Sequence, residues 1–139
     1  MARILIVEDN EMNTDILART LARADHLLLT AADGEAGLAL ALAEQPDLIL
    51  MDIGLPGIDG LEVTRRLKAA PATRQIPVLA VTAYAMAGDR ELCLAAGCED
   101  YISKPFDADQ VVEKVARLLA RRQRLADLLG RQQGDDPPG

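Results

Sequence analysis

The stretch Leu48-Ile49-Leu50-Met51-Asp52-Ile53-Gly54-Leu55-Pro56-Gly57 decides the fold. Its first four residues are apolar without alternation, the pattern of a strand covered on both faces in a parallel sheet. The run then meets a carboxylate, Asp52, and breaks into a turn at Gly54, Pro56 and Gly57. Working outward, the same short apolar form recurs at Arg3 to Val7, Leu27 to Ala31, Val78 to Val81 and Asp100 to Ser103. With Leu48 to Met51 these make five strands.

Segments of helical period separate them, and their ends are readable. Asn10 caps a helix carrying Met12, Ile16, Leu17 and Leu21; Asp33 caps the next, which Pro46 closes. Asp59 with Glu62, and Asp107 with Gln110, have capping-box spacing. Gly97 ends a helix that starts near Met86 by supplying a left-handed position. Five β-α repeats with right-handed crossovers predict an α/β fold: a doubly wound, five-stranded parallel sheet with helices on both faces, in the flavodoxin-like order 2-1-3-4-5.

In that order the first and third strands are neighbours, and the crevice beyond their carboxyl ends is where a ligand binds. Glu8 and Asp9 follow the first strand and Asp52 the third, with Thr82 and Lys104 at the ends of the fourth and fifth. Three carboxylates so close together repel unless a cation compensates. An all-oxygen donor set without His or Cys favours Mg²⁺. Asp9 and Asp52 are the expected direct ligands, the Gly54 backbone carbonyl a third, and Glu8 the holder of a metal-bound water. A carboxylate beside Mg²⁺ can accept a phosphoryl group, a reaction catalysed mainly by positioning and charge neutralisation. The set reads as phosphoryl acceptance on Asp52, with Thr82 and Lys104 contacting phosphoryl oxygens.

Composition narrows the remaining classes. The chain has 139 residues, enough for one domain with a sizeable core, and only 2% of them are aromatic, so Leu, Ile, Val and Ala must fill that core. A net charge of −7 opposes sequence-independent binding to nucleic acid. The opening apolar run, Ile4 to Val7, is too short for a signal peptide or membrane span, so a cytoplasmic protein that does not enter the membrane is expected. Cys93 and Cys98 match no zinc or redox spacing and read as packing residues; His26, without a partner in its surroundings, reads as a surface residue.

Taken jointly, Glu8-Asp9-Asn10, Met51-Asp52-Ile53-Gly54-Leu55-Pro56-Gly57 with Gly60, Thr82-Ala83, and Tyr101 followed by Lys104-Pro105-Phe106 form a specific pattern. In it the chain resembles the receiver domain of two-component response regulators, over about residues 3 to 120, and is most similar to stand-alone receivers. The resemblance implies that Asp52 is phosphorylated by a histidine kinase or a histidine phosphotransfer protein. It adds Ala83 to the phosphoryl contacts, makes Thr82 and Tyr101 a coupled switch, and implies a cis peptide bond at Lys104-Pro105. The downstream protein target is expected on the face of the fourth helix, fifth strand and fifth helix.

The pattern departs from the commonest one in places. Glu8 stands where many members have Asp, and Leu55 where Met is frequent. Gly54 offers no side chain to orient a hydrolytic water and Tyr84 stands to block it, from which slow self-dephosphorylation is expected. A rival reading is the receiver portion of a longer regulator or hybrid kinase. An Asp-nucleophile, Mg²⁺-dependent phosphohydrolase fits poorly, because such enzymes of the haloacid-dehalogenase kind need a second Asp where Gly54 stands. A flavin-binding protein fits poorly too, since the acidic loop Glu8-Asp9-Asn10-Glu11 is no phosphate cradle. The protein is therefore expected to signal rather than to turn over a substrate.

Past the domain, assigned to residues 1–120, Val111, Val115, Leu118, Leu125 and Leu129 keep a near-heptad stripe interrupted by Arg122. A helical extension over 121–129 would project Leu125, Leu128 and Leu129 beside Arg121, Arg122 and Arg124, to fray or to pack on a partner or, as a homodimer, on a second copy. Residues 130–139, with Gly134-Asp135-Asp136-Pro137-Pro138 among them, are expected as a disordered tail.

Overall fold

The computed structural model describes residues 2–83 and 87–134. Strands β1 (Arg3–Val7), β2 (Leu27–Ala31), β3 (Leu48–Asp52), β4 (Val78–Thr82) and β5 (Asp100–Ser103) form one sheet in the order β2-β1-β3-β4-β5. Every adjacent pair is parallel. The helices are α1 (Glu11–Arg23), α2 (Gly34–Glu44), α3 (Gly60–Ala69), α4 (Ala87–Ala96) and α5 (Ala108–Gly134).

The unbroken apolar runs have a simple cause: alternate residues of each strand go to opposite layers. Leu5, Val7, Ile49, Met51, Val78 and Ala80 pack with Ala41, Val63, Leu67 and Cys93 from α2, α3 and α4. Ile4, Ile6, Leu48, Leu50, Leu79, Val81 and Ile102 pack with Leu17 and Leu21 of α1 and Val111, Val115 and Leu118 of α5. Truncating one of these buried aliphatics to Ala would cost about 2–5 kcal/mol, so both layers are needed.

Caps form where the sequence puts them. The side chains of Asn10, Asp33 and Asp59 accept the backbone N–H of Asn13, Ala36 and Glu62 at 3.0, 2.7 and 2.8 Å. The Glu62 carboxylate turns to Arg65 and Arg66 at 3.5 and 3.7 Å. Asp107 Oδ1 accepts from Asp109 and Gln110 at the start of α5. Gly97, at φ 109°, ends α4 in the left-handed region, with the Cys98 N–H donating to the Cys93 carbonyl. The start placed near Met86 lies outside the described residues.

Some expectations need correcting. β3 and β4 each run one residue further, because the backbone ladder continues whatever the side chain: Asp52 pairs with Val81 and Thr82 with Ser103. Asp52 and Thr82 are therefore the last residues of their strands. His26 is half-buried rather than on the surface, and its Nδ1 accepts the Ala2 N–H at 3.3 Å. The last helix continues through Gly134, so residues 130–134, expected in a disordered tail, are helical. Arg131, Gln132 and Gln133 are good helix formers, and no proline intervenes before Pro137; the rest of that tail lies outside the described residues.

At 27 residues α5 is about 40 Å long, whereas a five-residue strand spans about 17 Å. Its outer half leaves Leu125, Leu128 and Leu129 more than half exposed. Arg122, in the stripe where a leucine would continue the pattern, ties the helix back to the body. Its Nη1 donates to the carbonyls of Asp47 and Pro46 at 2.7 and 3.3 Å.

Candidate functional site

The carboxyl ends of β1 and β3 bring three acidic side chains together. Glu8, Asp9 and Asp52 each present one oxygen, and these oxygens all lie within 4.8 Å of one another. Glu8 and Asp52 are buried, at 3% and 4% exposure, while Asp9 faces solvent. They line a cleft of about 380 Å³ with Asn10, Asn13, Gly54, Thr82, Ala83 and Lys104. The sequence-predicted residues at the ends of four different strands thus meet at the topological switch point.

Backbone hydrogen bonds hold the strand ends rigid. The Ile53 N–H donates to the Val81 carbonyl at 2.9 Å, and the Lys104 N–H to the Thr82 carbonyl at 2.8 Å. The Gly54 N–H donates to Asp52 Oδ1 at 3.0 Å. Lys104 Nζ then lies 3.2 Å from Glu8 Oε1 and 3.4 Å from Asp52 Oδ2, one ammonium shared by two buried carboxylates. The peptide bond from Lys104 to Pro105 is cis.

One cation does not balance this charge. Burial raises the pKa of Asp52; the Gly54 N–H pulls it back, the Glu8 charge pushes it up again, and Lys104 lowers it least. Glu8 Oε1 accepts from Lys104, from Asn13 Nδ2 at 3.2 Å and from the Asn10 N–H at 3.4 Å. Glu8 Oε2 is buried with no hydrogen-bond partner among the described residues. A buried oxygen of this kind needs a donor or a cation, and the donor set is all oxygen. The residues fit Mg²⁺, with Glu8, Asp9 and Asp52 as the group that could hold it.

Asn13, which the sequence reading passed over, and Gly60, which it included in the pattern, complete the site. Asn13 sits one turn into α1, and only the fold shows that its amide holds Glu8. Gly60 opens α3 directly behind the phosphoacceptor candidate: a Cβ built there would overlap the Asp52 carbonyl oxygen. The sequence pattern already included Gly60, which stands at the first helical position just after the Asp59 cap. Asp89 of α4 also borders the cleft.

Tyr101 lies on β5, half-buried against the layer of α2, α3 and α4. Lys114 Nζ stands 5.3 Å from its ring centroid and donates to its carbonyl at 2.8 Å. Thr82 is buried at the end of β4, beside the cleft. Tyr84, assigned a water-blocking role, lies outside the described residues.

Comparison with known proteins agrees with this geometry. A family model described as response regulator receiver domain matches residues 4–116. The chain is 44% identical over 116 residues to the polar-differentiation response regulator DivK of Brucella anthropi, covering 84% of this chain and 94% of that protein. Among solved structures it is similar to the receiver domain of a sensor histidine kinase from Pseudomonas aeruginosa, crystallised with magnesium coordinated in the active site cleft. That match has a TM-score of 0.80 and 37% identity, and covers 86% of this chain and 98% of the other. A receiver domain protein from Methanospirillum hungatei matches with a TM-score of 0.83 and 29% identity, over 89% of this chain and 98% of that one.

Proposed function

The chain belongs to the response regulator receiver domain family, and from that premise we propose that it is a single-domain phosphorelay switch whose phosphoacceptor is Asp52. The observation that carries the reading is the meeting of Glu8, Asp9 and Asp52 oxygens within 4.8 Å, with Lys104 between two of them and Glu8 Oε2 without a partner among the described residues. Asp9, Asp52 and the Gly54 carbonyl would hold Mg²⁺, and Glu8 would hold one of its waters. When bound, Mg²⁺ neutralises charge on the carboxylates and on the incoming phosphoryl oxygens.

The chain's own residues do the rest. An Asp52 oxygen attacks the phosphorus of a phosphohistidine on a histidine kinase or phosphotransfer protein. The new O–P bond forms as the N–P bond breaks, and the imidazole keeps the electron pair and takes up a proton. The Lys104 ammonium, freed from one carboxylate, meets the phosphoryl oxygens together with the Thr82 hydroxyl and the Ala83 N–H. Gly54 presents no side chain to orient a hydrolytic water, so the phosphorylated form is long-lived; a Gly54→Asn variant whose phosphoryl group decays no faster would contradict this.

Readout follows from differential contact. Phosphoryl oxygens that bind Thr82 draw it inward, and Tyr101 moves into the space released. The surface of α4, β5 and α5 then favours a different protein target, a shift between two states rather than a turnover reaction. We place this activity in the cytoplasm, where kinases of this class present their phosphohistidine; no helix among the described residues is long and apolar enough to cross a membrane.

The test is incubation with Mg²⁺ and a small phosphoramidate donor, followed by intact-mass measurement. One phosphoryl adduct is expected, and none should form when a chelator is present before the donor is added. No adduct, or one that forms equally without Mg²⁺, would overturn the proposal.

A further inference from the structure

A second surface lies at the opposite end of the sheet. Pro77 and Glu99 immediately precede β4 and β5, whereas Thr82 and Lys104 mark their far ends. There the outer half of α5 and the connection from α3 to β4 enclose a groove of about 490 Å³. Its floor is Pro77, Leu118, Leu125, Leu128 and Leu129, and Arg74 and Arg121 stand at its rim.

Two properties of this groove demand an occupant. The leucines at 125, 128 and 129 are 55%, 55% and 52% exposed on adjacent turns, a contiguous apolar surface of the kind that marks an interaction site. Arg74 and Arg121 make no ion pair among the described residues, whereas Arg122 is committed to the Asp47 loop. The acidic residue lining the groove, Glu99, is engaged by Lys68 at 2.7 Å and by the Val78 N–H at 2.6 Å. The groove is therefore apolar at its base and cationic at its edge, on a chain whose net charge is −7.

A second copy is a poor occupant. Residues 121–134 carry four arginines and one aspartate, so pairing two such helices sets arginine against arginine. We propose that the groove docks an amphipathic helix of another protein, with leucine-like anchors on one face flanked by Asp or Glu. The stretch from Leu118 to Leu129 is about 17 Å long, three helical turns, which suits anchors at i, i+3 or i+4, and i+7. The acidic flanks pair with Arg74 and Arg121. Because the groove lies at the far end of the strands from Asp52, such a partner stays bound while the cleft remains open.

The test is titration of the ¹⁵N-labelled full chain with a synthetic helix of about five turns, bearing Leu at those spacings and Glu on both flanks. A control peptide has every Glu replaced by Lys. The acidic peptide is expected to shift the amides of Leu125, Leu128 and Arg74, to weaken with added salt, and to lose roughly tenfold in affinity with Arg74→Glu and with Arg121→Glu. Both arginines are exposed, so neither change should disturb the fold, and an unchanged thermal midpoint verifies that. Absence of shifts at these residues, or equal binding by the Lys peptide, would overturn the proposal. So would a dimer of the chain alone, seen by sedimentation and dissolved by Leu125→Ser, which would give the face to a second copy.

Discussion

Lys104 places its Nζ 3.4 Å from Asp52 Oδ2, although 52 residues separate the two along the chain. The same ammonium lies 3.2 Å from Glu8 Oε1, so each carboxylate has only part of a counter-charge. The acidic group could hold a further cation that completes this compensation.

The first consequence is a stability change that runs against intuition. Asp52 has its pKa raised above 3.8, chiefly by burial, so folding favours its neutral form. As pH rises from that value through the raised one, the unfolded chain ionises first and the folded state loses stability. At neutral pH without Mg²⁺, Asp52→Asn should therefore raise the thermal midpoint. Adding Mg²⁺ should stabilise the parent chain and leave the variant nearly unchanged. Calorimetry of both proteins with and without Mg²⁺ checks this, and a destabilised variant would show that the carboxylate is already well compensated.

Gly60 and Gly88 should respond to alanine with opposite sign. A Cβ at Gly60 overlaps the Asp52 carbonyl, so Gly60→Ala must push α3 away from the site, at a cost of about 1–3 kcal/mol. At Gly88, in α4, a Cβ would have no neighbour within 4 Å among the described residues, and alanine should gain up to about 1 kcal/mol of helix propensity. Denaturant midpoints give both values. Equal effects would mean that close packing at Gly60 is relieved without cost.

Both thiols should be silent in the folded protein. Burial pushes Cys98 up to about 12, opposed by its contact with Thr64, and burial raises Cys93 as well. At pH 8 a disulfide reagent should label neither until the chain is unfolded. The linkage has a definite sign: from about pH 9 to about 12 the unfolded thiol loses its proton while Cys98 keeps it, so its contribution to stability falls with rising pH. Cys98→Ser should flatten that part of the alkaline profile.

Arg122 should act as the clip between α5 and the body. Arg122→Ala removes two hydrogen bonds to the carbonyls of Pro46 and Asp47, about 1–2 kcal/mol together for a partly buried cation. Amide exchange should then speed up from residue 122 outward, with protection around Val111 and Val115 retained. Uniform loss of protection along α5 would assign Arg122 to the core of the fold instead.

These residues show where reading the sequence stops. The strands were legible because each has apolar residues for two layers, and the helix starts because Asn10, Asp33, Asp59 and Asp107 accept backbone N–H groups within their own first turns. Asp52, Thr82 and Lys104 were legible because strand ends in a doubly wound sheet converge on one crevice. Asn13, Gly60 and Arg122 act through partners fixed only by tertiary approach: a carboxylate on the preceding loop, a carbonyl behind the site, and a loop 75 residues away. The end of α5 was misread because glycine and proline near the terminus suggested a tail, while the intervening Arg131, Gln132 and Gln133 sustain the helix.

Asp52 alone should accept the phosphoryl group. The direct measurement is peptide mapping by mass spectrometry after exposure to Mg²⁺ and phosphoramidate, on the parent chain and on Asp52→Asn. A single modified peptide containing Asp52 is expected in the parent and none in the variant; equal modification of the variant, or modification at another residue, would rule out Asp52 as the sole acceptor.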